Sequence, residues 1–442
     1  MQKEKITKAE HKLEMKLKLK PGDVVKITKN DGQIVEGTVM PEALSGFLIL
    51  KLKSGYNIGL EKSNIKGIEK IGTRELERFP EAKIEARARK NIAVILAGGT
   101  ISSRVDYTTG AVSALMKPEN LFFLVPEIAK IANIKIDFAF SALSENLNYK
   151  HWQILAKKCE KWLNDESIEG IIITHGTDTL HYSASALSFM LKNINKPVVL
   201  TYAQRSSDRP STDAILNLIA SAHVALSDIA EVVLVGHESS NDETCLVIRG
   251  TKARKMHSTR RDTFRPINAL PLARVSKDGK IEIISEYNKK DPNKKERAKA
   301  DIAFEKKVAL IKFYPNCDPS ILDFYAKQGY RGIVIEGTGM GHVCSEGKLS
   351  WLEKIKKLSK KILICMTTQT IYGSVNPYVY STARKLEQAG IVYLHDMLAE
   401  TAYVKLGYVL GKTKKLDEAR ALMLQNLAGE FNERELPECF LY

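Results

Sequence analysis

Four stretches of this 442-residue sequence gather hydroxyl, carboxylate and amine side chains at the density that nucleophilic chemistry needs. In Ala97-Gly98-Gly99-Thr100-Ile101-Ser102-Ser103, two glycines let backbone amides approach a ligand, and the Thr100 hydroxyl projects from a strand-to-loop transition. This segment lacks the Lys-Ser/Thr ending of a P-loop and the third glycine of a dinucleotide fingerprint. In Thr174-His175-Gly176-Thr177-Asp178-Thr179-Leu180, the tripeptide Gly176-Thr177-Asp178 sits where a helix should begin. Helix capping accounts for one hydroxyl or one carboxylate there, but not for His175, Thr177 and Asp178 together. The third stretch, Arg249 to Ser258, carries Lys252 and Lys255, and one lysine buried there would serve as a base because burial lowers its pKa. Read alone, that stretch is better explained as a solvated basic patch. The fourth, Gln204 to Ala214, is dense in polar groups for a plain connection. A hydroxyl with a neighbouring base and an orienting carboxylate is the pattern of nucleophilic catalysis. Backbone amides near Gly99 or Gly176 would hold a developing oxyanion.

Each stretch follows an apolar run of the kind that forms a strand buried on both faces. The runs are Ile92–Ala97, Gly170–Thr174, Pro197–Thr201 and Glu231–Gly236, with amphipathic helical stretches at 151–164 and 180–192 between them. Alternating strands and helices predict an α/β domain with a parallel sheet over residues 91–285, whose ligands bind beyond the carboxyl ends of the strands. Residues 286–305 read as a Lys-rich linker. A second α/β domain is expected over 306–442, with strands at 308–312, 332–336, 362–366 and 390–394 and a tail that is helical and then frayed. Residues 1–80 read as a separate small β-barrel, SH3-like or Sm-like. Strands at 24–28, 34–39, 47–52 and 56–60 are joined by turns such as Asn30-Asp31-Gly32.

Hydrophobic residues form 44% of the chain and charged residues 27%, which excludes wholesale disorder. The net charge of +15 favours anionic partners, nucleic acid first among them. The six cysteines have no paired metal-type spacing, so we expect reduced thiols and no metal site. No apolar run reaches the roughly 18–20 residues of a spanning helix, and Met1 to Lys20 lacks a signal-peptide core.

Taken together, Gly98-Gly99-Thr100-Ile101, His175-Gly176-Thr177-Asp178-Thr179 and the lysine segment resemble the L-asparaginase family over residues 91–410. Ser144-Glu145-Asn146 and Gly332 to Gly339 extend the match. The resemblance implies a two-domain L-asparaginase-like fold and hydrolysis of side-chain amides by threonine nucleophiles. Thr100 matches the first-motif threonine and is the expected nucleophile, with Thr177 as the alternative. Thr177 and Asp178 match the family's second pair, Lys255 its lysine, and Ser144 with Glu145 its substrate-holding pair. Asp178 and Glu145 would also face the substrate's α-ammonium. Tyr107 sits closer to Thr100 than the mobile-loop tyrosine of the longer-looped bacterial enzymes.

A narrower resemblance is carried by the N-terminal strands, by Gln204 to Ser211 and by Arg249 to His257. It is to the D-subunit family of the archaeal glutamyl-tRNA(Gln) amidotransferases. It implies that this chain, with no cofactor of its own, releases ammonia from glutamine or asparagine. A partner, the E-subunit of the same amidotransferase, would use ATP and Mg2+ to convert Glu-tRNA(Gln) to Gln-tRNA(Gln). The resemblance further implies a self-dimer with two partner subunits in an α2β2 heterotetramer, tRNA contact mainly through the partner, and a cytoplasmic protein without membrane association. Two other readings are open: a stand-alone L-asparaginase, and a nucleic-acid module using the basic N-terminal barrel.

Overall fold

The computed structural model describes residues 19–40, 46–53, 57–74, 90–99, 103–105, 112–114, 125, 127–205 and 211–442. Thr100, Tyr107 and residues 206–210 of the polar loop lie outside the described residues.

The N-terminal region is a five-stranded antiparallel sheet in the order Asn57–Glu61, Phe47–Lys51, Ile34–Val39, Asp23–Lys29 and Ile65–Thr73. Alternation along the first strand turns Val25 and Ile27 into a small core with Val39, Leu50 and Ile65. Gly32, at φ +84°, makes the predicted hairpin turn. The fifth strand is not among those expected. Its Ile-Lys-Gly-Ile-Glu-Lys-Ile-Gly-Thr sequence mixes charge and glycine with isoleucine, yet it pairs along the whole of the first strand.

The first α/β sheet has eight strands. Five are parallel, in the spatial order Asn133–Phe138, Asn91–Leu96, Ile168–Thr174, Val198–Thr201 and Val232–His237. The antiparallel strands Thr244–Arg249, Ala273–Ser276 and Ile281–Ile283 extend it on one side, so the sheet is mixed rather than wholly parallel. Ile171, Ile172 and Ile173 are almost wholly buried on both faces, as the unbroken apolar run requires. Helix Tyr149–Leu163 covers one face with Trp152, Leu155, Ala156, Cys159, Trp162 and Leu163, a helical spacing. Its first turn is capped by Asn148, whose Oδ1 accepts from Lys150 N at 3.0 Å.

The second sheet is parallel, in the order Val308–Lys312, Gly332–Gly337, Leu363–Thr368 and Val392–Tyr393. Helix Ala399–Lys412 lies between the two sheets, and one apolar core runs through it from Ala93 and Ile171 of the first sheet to Val334 and Cys365 of the second. Gly407 lets Phe304 seat against this helix, because a Cβ there would stand 2.2 Å from the ring.

Two expectations change. Residues 286–305 are no free linker: Ala300 pairs with Leu191, Asp301 N donates to Met190 O, and Lys290 N donates to Asp228 O. The tail beyond helix Leu416–Leu424 is not frayed. Glu430 is fully buried, accepts from Leu427 N and Ala428 N, and pairs with the equally buried Lys405 at 2.5 Å. The six cysteines form no disulfide. Among the described residues, no helix is long and apolar enough to cross a membrane, and no group of three His, Cys, Asp or Glu residues could hold a metal.

Candidate active site

Strands Asn91–Leu96 and Ile168–Thr174 run parallel and end side by side, so the loops that follow them meet. Gly98 and Gly99 both take φ +83°, a left-handed conformation costly for any residue with a Cβ. Space forbids one as well: a Cβ on Gly99 would lie 2.4 Å from Gly176 N, and on Gly98 2.5 Å from Ala142 O. The glycine pair therefore brings the chain that leads into Thr100 against the turn that carries Thr177. Gly176 in turn packs on Ser144, whose Cβ would be 2.8 Å from a Cβ added there.

Ser144 braces the same turn. Its Oγ accepts from Asp178 N at 3.1 Å and its carbonyl from Thr179 Oγ1 at 2.7 Å. Glu145, beside it, is exposed. Lys255 arrives from the hairpin made by Ala253–Lys255 and Phe264–Pro266. Its Nζ donates to Thr177 Oγ1 at 2.9 Å and to Asp178 Oδ1 at 2.7 Å. The lysine side chain is 13% exposed and the carboxylate 60%, so half of this ion pair stands in water. Such a pair adds little to stability. It does fix one amine against one hydroxyl across 78 residues of sequence.

The structure thus brings together Ser144, Thr177, Asp178 and Lys255. A cavity of about 440 Å³ opens on Asp178 and Lys255 and is lined also by His181, Tyr182, Met256, His257 and Ser258. Across the site, Gln204 Oε1 lies 3.5 Å from Thr177 Oγ1, a long contact, and Gln204 Nε2 is buried with no partner among the described residues. Asp213 holds that loop by accepting from Gln204 N and Arg205 N, each at 2.9 Å.

Burial favours the neutral form of the two histidines beside the site. His175 is fixed by a relay in which Trp152 Nε1 donates to Ser183 Oγ at 3.0 Å, Ser183 Oγ to His175 Nε2 at 2.9 Å, and His175 Nδ1 to Gly176 O at 2.7 Å. Burial pushes its pKa down to about 4. His181 is pushed down to about 3 by burial and by the charges of Arg254 and Lys255. His181 and Tyr182 do not stand out in the sequence. Their only signal is position: His181 follows Asp178 by three residues, one turn along on the same side of a helix start.

Three family descriptions tile the chain. Asparaginase, N-terminal, matches residues 91–289; Glutaminase/Asparaginase C-terminal domain matches 307–423; and GatD N-terminal domain matches 19–71. The D-subunit of the glutamyl-tRNA(Gln) amidotransferase of Pyrococcus furiosus is 47% identical over 431 residues, 95% of this chain and 97% of that protein. The one from Methanopyrus kandleri is 43% identical over 426 residues, 93% of this chain and 92% of that protein. The chain belongs to the GatD family, the D-subunits of the glutamyl-tRNA(Gln) amidotransferases. Its GatD relatives match it nearly end to end, whereas solved asparaginases match less of it. The L-asparaginase of Thermococcus kodakarensis has a TM-score of 0.70 at 28% identity, covering 78% of this chain and 100% of its own. L-asparaginase I from Vibrio cholerae has a TM-score of 0.68 at 26% identity, with the same coverage.

Proposed function

We propose that this chain is the amidase half of a two-subunit machine. It hydrolyses the side-chain amide of glutamine or asparagine and supplies the ammonia to a partner, the amidotransferase E-subunit, which uses ATP to convert Glu-tRNA(Gln) to Gln-tRNA(Gln). The observation that carries the amidase reading is Lys255 Nζ bonded at once to Thr177 Oγ1 and Asp178 Oδ1, beyond the carboxyl ends of parallel strands. A free threonine hydroxyl is a weak nucleophile and needs such a base.

The chemistry balances on these groups. A threonine oxygen attacks the amide carbon, and its proton passes to Lys255, which acts as the base after its ammonium has released a proton to solvent. The carbon–nitrogen bond breaks as that proton reaches the leaving nitrogen, and ammonia departs. Water then cleaves the threonine ester, giving the acid product and the free hydroxyl. Asp178 orients Lys255 and, with Glu145, faces the substrate's α-ammonium, while Ser144 holds the turn. Thr100 is the first nucleophile in this reading. A second reading, with Thr177 attacking, is favoured by its 2.9 Å contact to Lys255. Positioned proton transfer contributes about 100- to 10,000-fold.

The assembly reading rests on the GatD relatives and on the extra N-terminal region. The chain would act in the cytoplasm as a dimer bearing two partner subunits, with the tRNA held mainly by the partner, and with ATP and Mg2+ used there. The test is ammonia release from glutamine with and without partner and Glu-tRNA(Gln). The reading expects release that rises when both are present. Robust asparagine turnover indifferent to both would instead mark a stand-alone asparaginase.

A further inference from the structure

The arm that delivers Lys255 is gripped by the second domain. Side chains alternate along strand Ala253–Lys255, so Arg254 faces away from Ala253 and Lys255; Lys252, in the turn just before the strand, reaches the second domain as Arg254 does. Ala253 is buried in the shared core, and Lys255 reaches Thr177. On the opposite face, Lys252 Nζ meets Asp396 Oδ2 at 2.8 Å, and Arg254 Nη2 meets Glu400 Oε1 at 3.2 Å. Thr251, next along, accepts on its carbonyl from Thr401 Oγ1 at 2.9 Å and donates from its own hydroxyl to Ala428 O at 3.0 Å. Three of these partners, Asp396, Glu400 and Thr401, lie in or just before helix Ala399–Lys412 of the second domain.

Of the two ion pairs, Lys252–Asp396 is the more enclosed, at 1% and 5% exposure. Asp396 is fully engaged. Its Oδ1 accepts from Asn432 N at 2.9 Å, its Oδ2 also accepts from Asn432 Nδ2 at 2.8 Å, and its carbonyl accepts from Asn268 Nδ2 at 3.0 Å. A buried ion pair is a poor device for stability, since well-packed apolar residues do as well or better. It does demand one geometry, whereas an apolar pair tolerates sliding. Lys255 stands only three residues further on, about 10 Å along an extended chain.

We propose that the Lys252–Asp396 ion pair is a positioning element that fixes the register of the lysine arm. Asp396 of the second domain would thereby set turnover at a site whose reacting groups all belong to the first. This inference rests on the amidase reading above. Asp396 and Lys252 touch no reacting atom; they act through Lys255.

The test is steady-state glutaminase kinetics on the full chain with its partner, for wild type, Thr177→Ala, the pair variant Lys252→Met with Asp396→Leu, and Asn432→Ala. The pair variant exchanges the ions for apolar groups, which keeps the seam packed. It takes the carboxylate acceptor from Asn432 N and Nδ2 and so should melt below the wild type; the folded variant should lose about 10- to 100-fold in kcat, as expected for a reacting group misplaced by a fraction of an ångström, and keep KM within about threefold. Asn432→Ala, which only loosens the hold on Asp396, should lower kcat by a smaller factor, and it supplies the answer if the pair variant fails to fold. Wild-type kcat in the pair variant, or in Asn432→Ala where only that variant folds, overturns the positioning role while leaving the amidase reading in place. A wild-type chain that releases no ammonia from glutamine or asparagine overturns both.

Discussion

The two α/β sheets end in similar residues and do different things. Beyond the strands of the first come Gly176, Thr177 and Asp178; beyond those of the second come Gly337-Thr338-Gly339 and Thr368-Gln369-Thr370. In the second sheet the hydroxyls are closed on themselves. Thr368 Oγ1 bonds to Gly339 O and to Thr370 Oγ1, both at 2.6 Å, and Thr338 Oγ1 bonds to His342 O at 3.2 Å. In the first, Thr177 Oγ1 faces an amine. Threonines and glycines at strand ends thus make loops, and in the proposed mechanism reactivity is added by a base brought from elsewhere in the chain.

That contrast can be broken most sharply at Lys255. Lys255→Met, assayed for ammonia release in the assembled enzyme, should lose at least about 1,000-fold in kcat, the middle of the range that positioned proton transfer supplies. A loss under tenfold would mean that the amine is not the base.

The glycines give a second comparison. Gly99→Ala puts a Cβ on the backbone of the Thr177 turn, whereas Gly339, at φ +48°, has open space around it. Gly339→Ala should cost only the left-handed strain of about 1–2 kcal/mol. Gly99→Ala should cost clearly more and should abolish activity even where it folds. Denaturant melts of the two variants check this, and equal losses would refute the close approach of the loops.

Acid should act on the first region through its histidines. His175 and His181 titrate near 4 and 3 when folded, against about 6.5 unfolded. The unfolded chain therefore binds more protons as pH falls through 6.5 toward 4, and stability contributed by keeping them neutral is lost over that window. His181→Ala should lose less stability between pH 7 and pH 5 than the wild type does. An identical loss would show that His181 is not held neutral. The smallest effect belongs to the second sheet: Thr368→Val should change kcat by less than about twofold, since among the described residues that hydroxyl is engaged with Gly339 and Thr370 alone.

Much of this is legible in the sequence because the decisive residues cluster locally. Thr177 and Asp178 are adjacent, and each expected strand of the first sheet is an unbroken apolar run. Strand Asn133–Phe138 escapes notice because it lies at the sheet edge, where the charged Lys135 and Asp137 keep some exposure and break the run. Which lysine reaches Thr177 cannot be read from the motif's spacing. The sequence offers Lys252 and Lys255 three residues apart, and only the fold, with one in a turn and the other at the end of a short strand, sends one to Asp396 and the other to the hydroxyl. The buried grip on that arm is equally hidden, because Asp396 lies 144 residues from Lys252 and carries no local signature. The order of the tail is hidden for the same reason: its polar look conceals Glu430, whose charge is met by Lys405 from a distant helix.

Everything chemical here turns on the Thr177–Lys255 contact. Its most direct test is ammonia release from glutamine by Thr177→Ala in the complete enzyme with Glu-tRNA(Gln) present. An assembled complex that releases no ammonia above background is the predicted result, and wild-type release by that variant would contradict it.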